Sequence, residues 1–279
     1  MTTIKTAYAK LVEALTNIYD EREANNISSI IFEDVFNVNN PNRETPFDQH
    51  DKLNDIITRM LNHEPMQYVI GEADFWGMKF KVNEHVHIPR GETEELVDWV
   101  KDVVNESGQI KNMIDIGTGS GNIPLALKKE FPNIQVAAVD VTEEAVAVAR
   151  QNASMNNLEV DLQVLDILDE SQWSKIPQQD IVISNPPYIP VKEKELMPEH
   201  VLGFEPPVSL FVPNEDPLQF YKKIVKFAKQ KLTPNGFLFF ETNEFNANDV
   251  VQLLKDNGFR DCELRQDMSG RDRRVVGRV

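Results

Sequence analysis

The sequence predicts an α/β fold, in which helices cover both faces of a mostly parallel sheet, with a smaller helical domain ahead of it. Three observations lead to this prediction. Apolar residues recur at helical spacing over about the first 70 residues, strand-like and helix-like segments alternate from residue 113 onward, and a glycine-rich turn follows the first of those strands. Alternation of strand and helix favours parallel strands joined by helices that pack on both faces of the sheet.

Residues 1–72 are predicted to form the helical domain. Apolar residues at helical spacing surround Leu11 and Ile30, and a third helix is predicted over 50–62. A polar stretch at 37–46 separates the second helix from the third. The sequence therefore indicates three short helices that pack against one another.

Between residues 73 and 90 the apolar pattern changes to alternation, with Phe80 and Val82 on every second position. A period of two residues is typical of strands, whose side chains point to opposite faces in turn. We therefore predict a β-hairpin at 73–90 that links the helical domain to a larger α/β domain covering residues 91–279.

The α/β domain is predicted to open with a helix over 91–104. Strand-like apolar runs and helix-like stretches then follow one another. The predicted strands lie at 113–116, 135–139, 161–165, 180–184, 236–241, 260–264 and 274–277, and the predicted helices at 123–130, 143–155 and 218–231. Because no helix follows the last strand, we expect an antiparallel strand at one end of the sheet.

The net charge and the single cysteine indicate which kind of partner and which cellular compartment to expect. The formal net charge is −16, which repels phosphate backbones at long range, so nucleic acid is a disfavoured partner and a basic protein is a better one. Cys262 is the only cysteine, which fits a reducing compartment. The first residues lack the layout of a signal peptide and no apolar run reaches membrane-spanning length. We expect a cytoplasmic monomer without membrane association.

A glycine-rich turn follows the first strand of the α/β domain. It consists of Gly117, Thr118, Gly119, Ser120 and Gly121. Glycines let the backbone adopt positive φ and let a ligand approach closely near the start of the next helix. The spacing G-x-G-x-G does not complete the dinucleotide fingerprint, because asparagine follows the third glycine. A nucleoside ligand is one interpretation, and a turn that needs glycine for its geometry alone is the other.

Acidic residues stand at the ends of the next strands. Asp140 ends the second strand, where an adjacent parallel strand presents a carboxylate to a ribose, and the ribose role is favoured over a helix cap. Asp166 follows the third strand and is placed to meet an adenine amino group, with a turn acid as a nearly equal alternative. Asp115, before the loop, either holds the loop or reaches the amino-acid end of the ligand.

The fourth strand runs directly into Asn185, Pro186, Pro187 and Tyr188. Ligands of open α/β sheets bind outside the carboxyl ends of the strands. The prolines remove two backbone donors and leave carbonyl acceptors, and the side chain of Asn185 adds another acceptor. Acceptors of this kind suit an NH2 group on a planar carbon, with Tyr188 stacked against it. A proline-rich strand exit is the alternative, and the upstream glycine loop counts against it.

This arrangement indicates a reaction. An amide or aromatic amine nitrogen is a poor nucleophile, because its lone pair is delocalised. Hydrogen bonds to Asn185 and to the Pro186 carbonyl would orient that nitrogen for attack on a methyl sulfonium. Positioning and electrostatics would supply most of the catalysis, without a strong general base.

Three segments resemble motifs of class I S-adenosylmethionine-dependent methyltransferases. They are MIDIGTGSGNIPLAL, AAVDVTEEAVAVARQNA and VISNPPYIP. The segments PMQYVIGEADFWGMKFKV, HIPRGETEELV, FEP and GRDRRVVGR are similar to the release-factor glutamine methyltransferases (PrmC/HemK) within that class. This resemblance runs from about residue 65 to the carboxyl end of the sequence.

The resemblance implies a Rossmann-like, seven-stranded, mostly parallel sheet with a small substrate-recognition domain and a hairpin linker. The implied substrate is the glutamine of the Gly-Gly-Gln motif in class I peptide-chain release factors, methylated at N5. Residues 117–121 would hold S-adenosylmethionine, which leaves as S-adenosylhomocysteine, Asp140 would bind its ribose, and Asp166 or Ile167 would lie by its adenine. Asn185 would meet both cofactor and glutamine, the Asn-Pro-Pro-Tyr turn would grip the amide, and Phe75 would help wall the site.

Several positions depart from the family pattern. Gly91 stands where proline is usual and Gly203 where arginine is common, and Asn243 lies where the strand end usually has glycine and glutamine. These departures bear on partner docking and leave the core chemistry in place.

We expect no metal. His85 and His87 share one strand face, but no third ligand of suitable spacing accompanies them.

Three other functions are alternatives to this one. A ribosomal-protein glutamine methyltransferase shares the Asn-Pro-Pro-Tyr motif and is the close alternative. An adenine-N6 nucleic-acid methyltransferase is disfavoured by the acidic charge. An NAD-dependent oxidoreductase is disfavoured by the missing fingerprint glycine.

Overall fold

A computed structural model describes residues 2–197 and 199–279. The chain divides into two compact units, one of residues 2–72 with 199–204 and one of residues 73–197 with 205–279. In the described part of the chain, no helix is both long enough and apolar enough to span a membrane.

The first unit is helical. It contains α1 (Ile4–Leu15), α2 (Glu21–Phe36), α3 (His50–Leu61) and α4 (Met66–Ile70). Thr3 begins α1 with a capping box that it shares with Thr6, and Asp20 accepts a hydrogen bond from the Glu23 amide to begin α2. The apolar stripes of these helices pack into one core that includes Leu11, Phe32 and Met60.

A hairpin precedes the large sheet. It pairs β1 (Glu72–Phe75) with β2 (Met78–Lys81) as a two-stranded sheet. The two connecting residues, Trp76 and Gly77, both have positive φ, as the tight primed turns of hairpins require. The hairpin expected from the alternating pattern is therefore present, and it is shorter than 73–90.

The remaining elements mostly alternate between helix and strand, and two short strands among them pair with each other apart from the large sheet. They are α5 (Gly91–Ser107), β3 (Asn112–Ile116), α6 (Asn122–Glu130), β4 (Gln135–Asp140), α7 (Glu143–Met155), β5 (Asp161–Val164), β6 (Gln179–Ser184), β7 (Ile189–Pro190), α8 (Glu199–Phe204), β8 (Phe211–Val212), α9 (Gln219–Lys231), β9 (Leu232–Glu241), α10 (Ala247–Asp256), β10 (Arg260–Gln266) and β11 (Asp272–Arg278). Short 3-10 segments lie at Glu170–Lys175, Val191–Leu196 and Pro207–Ser209.

The large sheet has seven strands in the order β10-β11-β9-β6-β3-β4-β5. β3 pairs in parallel with β4 and β6, and β11 pairs antiparallel with both β9 and β10. The predicted Rossmann-like α/β sheet is confirmed. The expected place of the antiparallel strand is wrong, because β11 lies one strand in from the edge. The side chains explain this, since β11 carries the adjacent apolar residues Val275 and Val276, which are buried, whereas β10 is mostly polar and exposed.

The sheet separates two apolar cores. One core contains Phe75, Trp99 and Met113, and the other contains Ile114, Trp173 and Phe240. Met113 and Ile114 are neighbours in β3 and point to opposite faces, so this strand is buried on both sides. The carboxyl ends of β3, β4 and β6 consequently meet at one edge of a rigid layer, where ligands of such sheets bind.

Candidate active site

The glycine loop lies at the carboxyl end of β3 and is held against β4. The amide nitrogens of Gly117 and Thr118 donate to the carbonyl oxygen of Val139, at 2.9 and 3.1 Å. Val139 belongs to the strand that ends at Asp140, so one strand end positions both the loop and the acid.

The glycines of the loop differ in what surrounds them. Gly119 has φ +53°, and in the described chain no heavy atom beyond its own residue and its two neighbours lies within 4 Å of the position that a Cβ would take. Gly121 has φ +80°, and a Cβ there would lie 3.1 Å from the Cβ of Ala149 in α7. Gly119 therefore leaves open space beside the loop, whereas Gly121 allows close packing of α6 on α7.

Asp140 joins the loop to the start of α7. Its Oδ2 accepts from the Gly119 amide at 2.8 Å and its Oδ1 from the Thr142 amide at 3.3 Å. Burial raises the pKa of Asp140, and the backbone hydrogen bonds oppose that rise. Thr142, not Asp140, caps α7, because its hydroxyl accepts from the Ala145 amide. The ribose role of Asp140 stays a prediction.

Asp115 and Thr118 leave buried polar atoms without partners beside this loop. Asp115 is 1% exposed, and within the described residues neither of its carboxylate oxygens makes a well-aligned hydrogen bond. Burial raises the pKa of Asp115 to about 7, an effect that the nearby Thr118 hydroxyl reduces. Such atoms are expected where a polar ligand binds, since an unsatisfied buried carboxylate is costly.

Asp166 acts locally as a turn residue. Its Oδ1 accepts from the Leu168 amide at 2.8 Å, as the alternative interpretation expected. Ile167 is buried, and its carbonyl accepts from the indole nitrogen of Trp173 at 3.0 Å. The indole anchors the segment after β5, and the adenine contacts of Asp166 and Ile167 stay predictions.

The Asn-Pro-Pro-Tyr turn begins where β6 ends beside β3. The hydroxyl of Ser184 donates to the Ile116 carbonyl at 2.7 Å, which fixes the turn relative to the glycine loop. Pro186 is buried, and Asn185 and Tyr188 are half-buried. Burial and the nearby Glu241 carboxylate raise the pKa of Tyr188 to about 12, so this phenol stays protonated at physiological pH.

Two residues that sequence reasoning did not assign to the site lie behind Asn185. The side-chain nitrogen of Asn185, Nδ2, lies 3.5 Å from the Thr93 hydroxyl oxygen. The Thr93 hydroxyl in turn donates to the Glu241 carboxylate at 2.7 Å. The Tyr221 hydroxyl donates to the main-chain carbonyl of Glu241 at 3.1 Å. The available signal was the position of Glu241, an acid at the end of an apolar run in the sequence. The structure alone shows that this strand lies next to β6.

Glu205 joins two segments that lie far apart in the sequence. Its buried carboxylate forms an ion pair with Arg90, lies against the imidazole of His87 and accepts from the Ile88 amide at 3.3 Å. Although burial raises the pKa of Glu205, its hydrogen bond with His87 and the charges of His87 and Arg90 outweigh burial and lower it. The Ile-Pro-Arg segment and the Phe-Glu-Pro segment therefore meet through one carboxylate.

Phe75 is 1% exposed and packs edge to face on Phe80, with ring centroids 6.0 Å apart. It lies in the apolar core that also contains Met113 of β3, and its role as a wall of the site stays a prediction. Across the described residues, no group of three or more histidine, cysteine or acidic side chains is arranged to hold a metal ion.

The chain is similar to known methyltransferases. A family model described as "Methyltransferase small domain" matches residues 96–201. Two relatives are named "Release factor glutamine methyltransferase". The one from Flavobacterium psychrophilum is 36% identical over 98% of both chains, and the one from Bacteroides thetaiotaomicron is 37% identical over 96% of both. A solved hMettl16 catalytic domain, in complex with the MAT2A 3'UTR hairpin 1, has a TM-score of 0.57 and 18% identity, and the match covers 82% of this chain and 80% of that one.

The solved structure agrees with the seven-stranded methyltransferase fold. The relatives decide the family, because their identity exceeds one third and extends over almost the whole of both chains. The chain therefore belongs to the release factor glutamine methyltransferase family.

Proposed function

We propose that this chain methylates N5 of the glutamine in the Gly-Gly-Gln motif of class I peptide-chain release factors, with S-adenosylmethionine as donor. The observation that carries the proposal is the similarity over the full length to relatives of that name, together with the acceptor-rich turn at the end of β6. S-adenosylhomocysteine is then the second product.

The residues around the glycine loop suit this cofactor. Gly119 gives open space for a ligand close to the main chain, and the Asp140 carboxylate beside it suits ribose hydroxyls. Asp115 offers a buried carboxyl group without a well-aligned hydrogen bond to a cationic amino-acid end. Asp166 and Ile167 would border the adenine. When bound, S-adenosylmethionine supplies an electrophilic methyl group on a sulfonium.

The Asn-Pro-Pro-Tyr turn would bind the substrate amide. The side-chain oxygen of Asn185 and the Pro186 carbonyl accept the two hydrogens of the glutamine NH2, which orients its nitrogen toward the methyl group. Tyr188 packs against the planar amide and does not act as a base, because its pKa is raised to about 12. As the bond between the nitrogen and the methyl carbon forms, the bond between sulfur and that carbon breaks, and its electron pair stays on the sulfur of S-adenosylhomocysteine. The nitrogen then loses one proton to water, which restores a neutral amide.

We also propose that residues 1–72 recognise the release factor, that 73–90 link them to the catalytic residues 91–279, and that the chain acts as a cytoplasmic monomer.

Methyl transfer from a sulfonium to an amide requires no Lewis acid in this scheme. A chelator such as EDTA should therefore leave the rate unchanged.

Labelled S-adenosylmethionine tests the function directly. The purified chain should label a class I release factor, and a factor whose Gly-Gly-Gln glutamine is replaced should remain unlabelled. Preferential labelling of a ribosomal protein or of DNA, or equal labelling of the replaced factor, would exclude the proposal. In a second test, Asn185→Ala should bind S-adenosylhomocysteine normally and lose methyl transfer.

A further inference from the structure

A hydroxyl and a carboxylate are buried together behind Asn185. Thr93, in the first turn of α5, is 3% exposed, and Glu241, at the carboxyl end of β9, is 4% exposed. The Thr93 hydroxyl lies 2.7 Å from Glu241 Oε2 and 3.5 Å from Asn185 Nδ2. These contacts thus link α5 and β9 to Asn185, the residue that directly follows β6.

The number of hydrogens in this chain decides which way the Asn185 amide faces. A threonine hydroxyl has one hydrogen, and an ionised carboxylate can only accept. Because Thr93 donates its hydrogen to Glu241, its oxygen offers only lone pairs to Asn185. The NH2 of Asn185 must therefore face Thr93, which leaves its oxygen free for the substrate. The 3.5 Å separation is long, as catalytic hydrogen bonds often are before substrate binds.

We propose that Thr93 and Glu241 are positioning residues, which fix the Asn185 amide with its oxygen toward the NH2 of the substrate glutamine. The inference rests on the proposed function, because it concerns the acceptor that this function requires. A reversed amide would present its own NH2 to the substrate NH2, and two donors would then face each other. Neither Thr93 nor Glu241 touches the substrate in this arrangement, so both act through Asn185.

The charge of Glu241 is part of this arrangement. If Glu241 bound a proton, it could donate to Thr93, and the Thr93 hydrogen would be free to turn toward Asn185. The amide would then lose its preferred direction. The groups that face Glu241 come from the segment before α5, from α5, the Asn-Pro-Pro-Tyr turn, α9 and β11, and they are His87, Glu92, Thr93, Tyr188, Tyr221 and Arg273.

Burial and these neighbours determine the pH at which kcat falls on the acidic side of the pH profile. Burial raises the pKa of Glu241 above its ordinary value of 4.5, while the hydrogen bond from Thr93 and the charges of Arg273 and His87 oppose the rise. Since the ionised form is required, kcat should fall as pH decreases through that raised pKa, with the affinity for S-adenosylhomocysteine unchanged.

The test compares variants of Thr93 with a matched control. Thr93→Val keeps the shape and removes the hydroxyl, and Thr93→Ser restores it. Thr233→Val removes another threonine hydrogen bond of 2.7 Å to a carboxylate, that of Asp180, at the opposite end of the sheet. We expect Thr93→Val to lower kcat about 10- to 100-fold, as expected when a reacting group is misplaced. Its KM for the release factor and its affinity for S-adenosylhomocysteine should change little.

Thr93→Ser should recover kcat to within about threefold of the parent, and Thr233→Val should leave it unchanged. Parent activity on the release factor is measured first, because its absence would refute the proposed function and not this inference. If the parent is active, an unchanged kcat in Thr93→Val, or an equal loss in Thr233→Val, overturns the positioning role. Should Thr93→Val fail to fold, a parent kcat that shows no acid limb over the pH range in which the protein stays folded overturns it instead.

Discussion

Asp115 lies buried at the end of β3, and its replacement by asparagine should stabilise the cofactor-free protein more at high pH than at low pH. Burial raises its pKa from 3.8 to about 7 in the folded state. Below pH 3.8 both folded and unfolded forms are protonated and no penalty exists. The penalty grows as pH rises from 3.8 to about 7, because only the unfolded form can ionise freely, and it is complete above that range.

The magnitude follows from the shift. About three pKa units at 1.36 kcal/mol each correspond to a penalty of roughly 4 kcal/mol near pH 8, and about 1.5 kcal/mol near pH 5. A comparison of Asp115→Asn with the parent at one pH alone would mislead, since an asparagine amide without partners has its own cost. That cost does not depend on pH. The difference between the two pH values, about 2 to 3 kcal/mol, is therefore the quantity to measure.

Urea unfolding at about pH 5 and pH 8 provides the assay, followed by tryptophan fluorescence. All three tryptophans, at positions 76, 99 and 173, lie in the unit that contains the sheet, so the signal reports the unfolding of that unit. Asp102→Asn, at an exposed position on α5, is the matched control. The reasoning is refuted if Asp115→Asn changes the free energy of unfolding equally at both pH values, or stabilises the protein more at the lower one.

Three further predictions concern the loop and the turn. Gly121→Ala should lower the free energy of unfolding by about 1 to 3 kcal/mol, because its Cβ would crowd Ala149 at a positive φ, and a urea titration showing no loss would contradict this. Asp140→Ala should weaken S-adenosylhomocysteine binding at least about tenfold by calorimetry, since it loses ribose acceptors and the Gly119 contact, and parent-like affinity would exclude the ribose role. Tyr188→Phe should keep kcat within about fivefold and its pH profile up to about pH 9, because its hydroxyl stays protonated, and loss of a basic limb would show that it ionises.

The sequence determined the elements and the strand ends that carry polar groups. Apolar runs of four to six residues between amphipathic stretches predicted the parallel strands closely, and the predicted helix at 143–155 has the bounds of α7. Strand ends at Asp140 and Asn185 were recognisable, because a polar residue directly after a buried strand marks the edge where parallel strands meet. These signals are local in the chain.

Only the tertiary structure decided which distant residues meet. β11 lies inside the sheet and β10 at its edge, although β10 comes first in the chain, and no local pattern orders strands within a sheet. Glu205 reaches Arg90 across 115 positions, and Glu241 reaches Thr93 across 148. Periodicity reports the environment of one segment, whereas a hydrogen bond between buried side chains depends on the packing of several. The candidate acceptors at Asn185 and Pro186 could therefore be proposed from the sequence, whereas the side chains packed behind them could be found only in the structure.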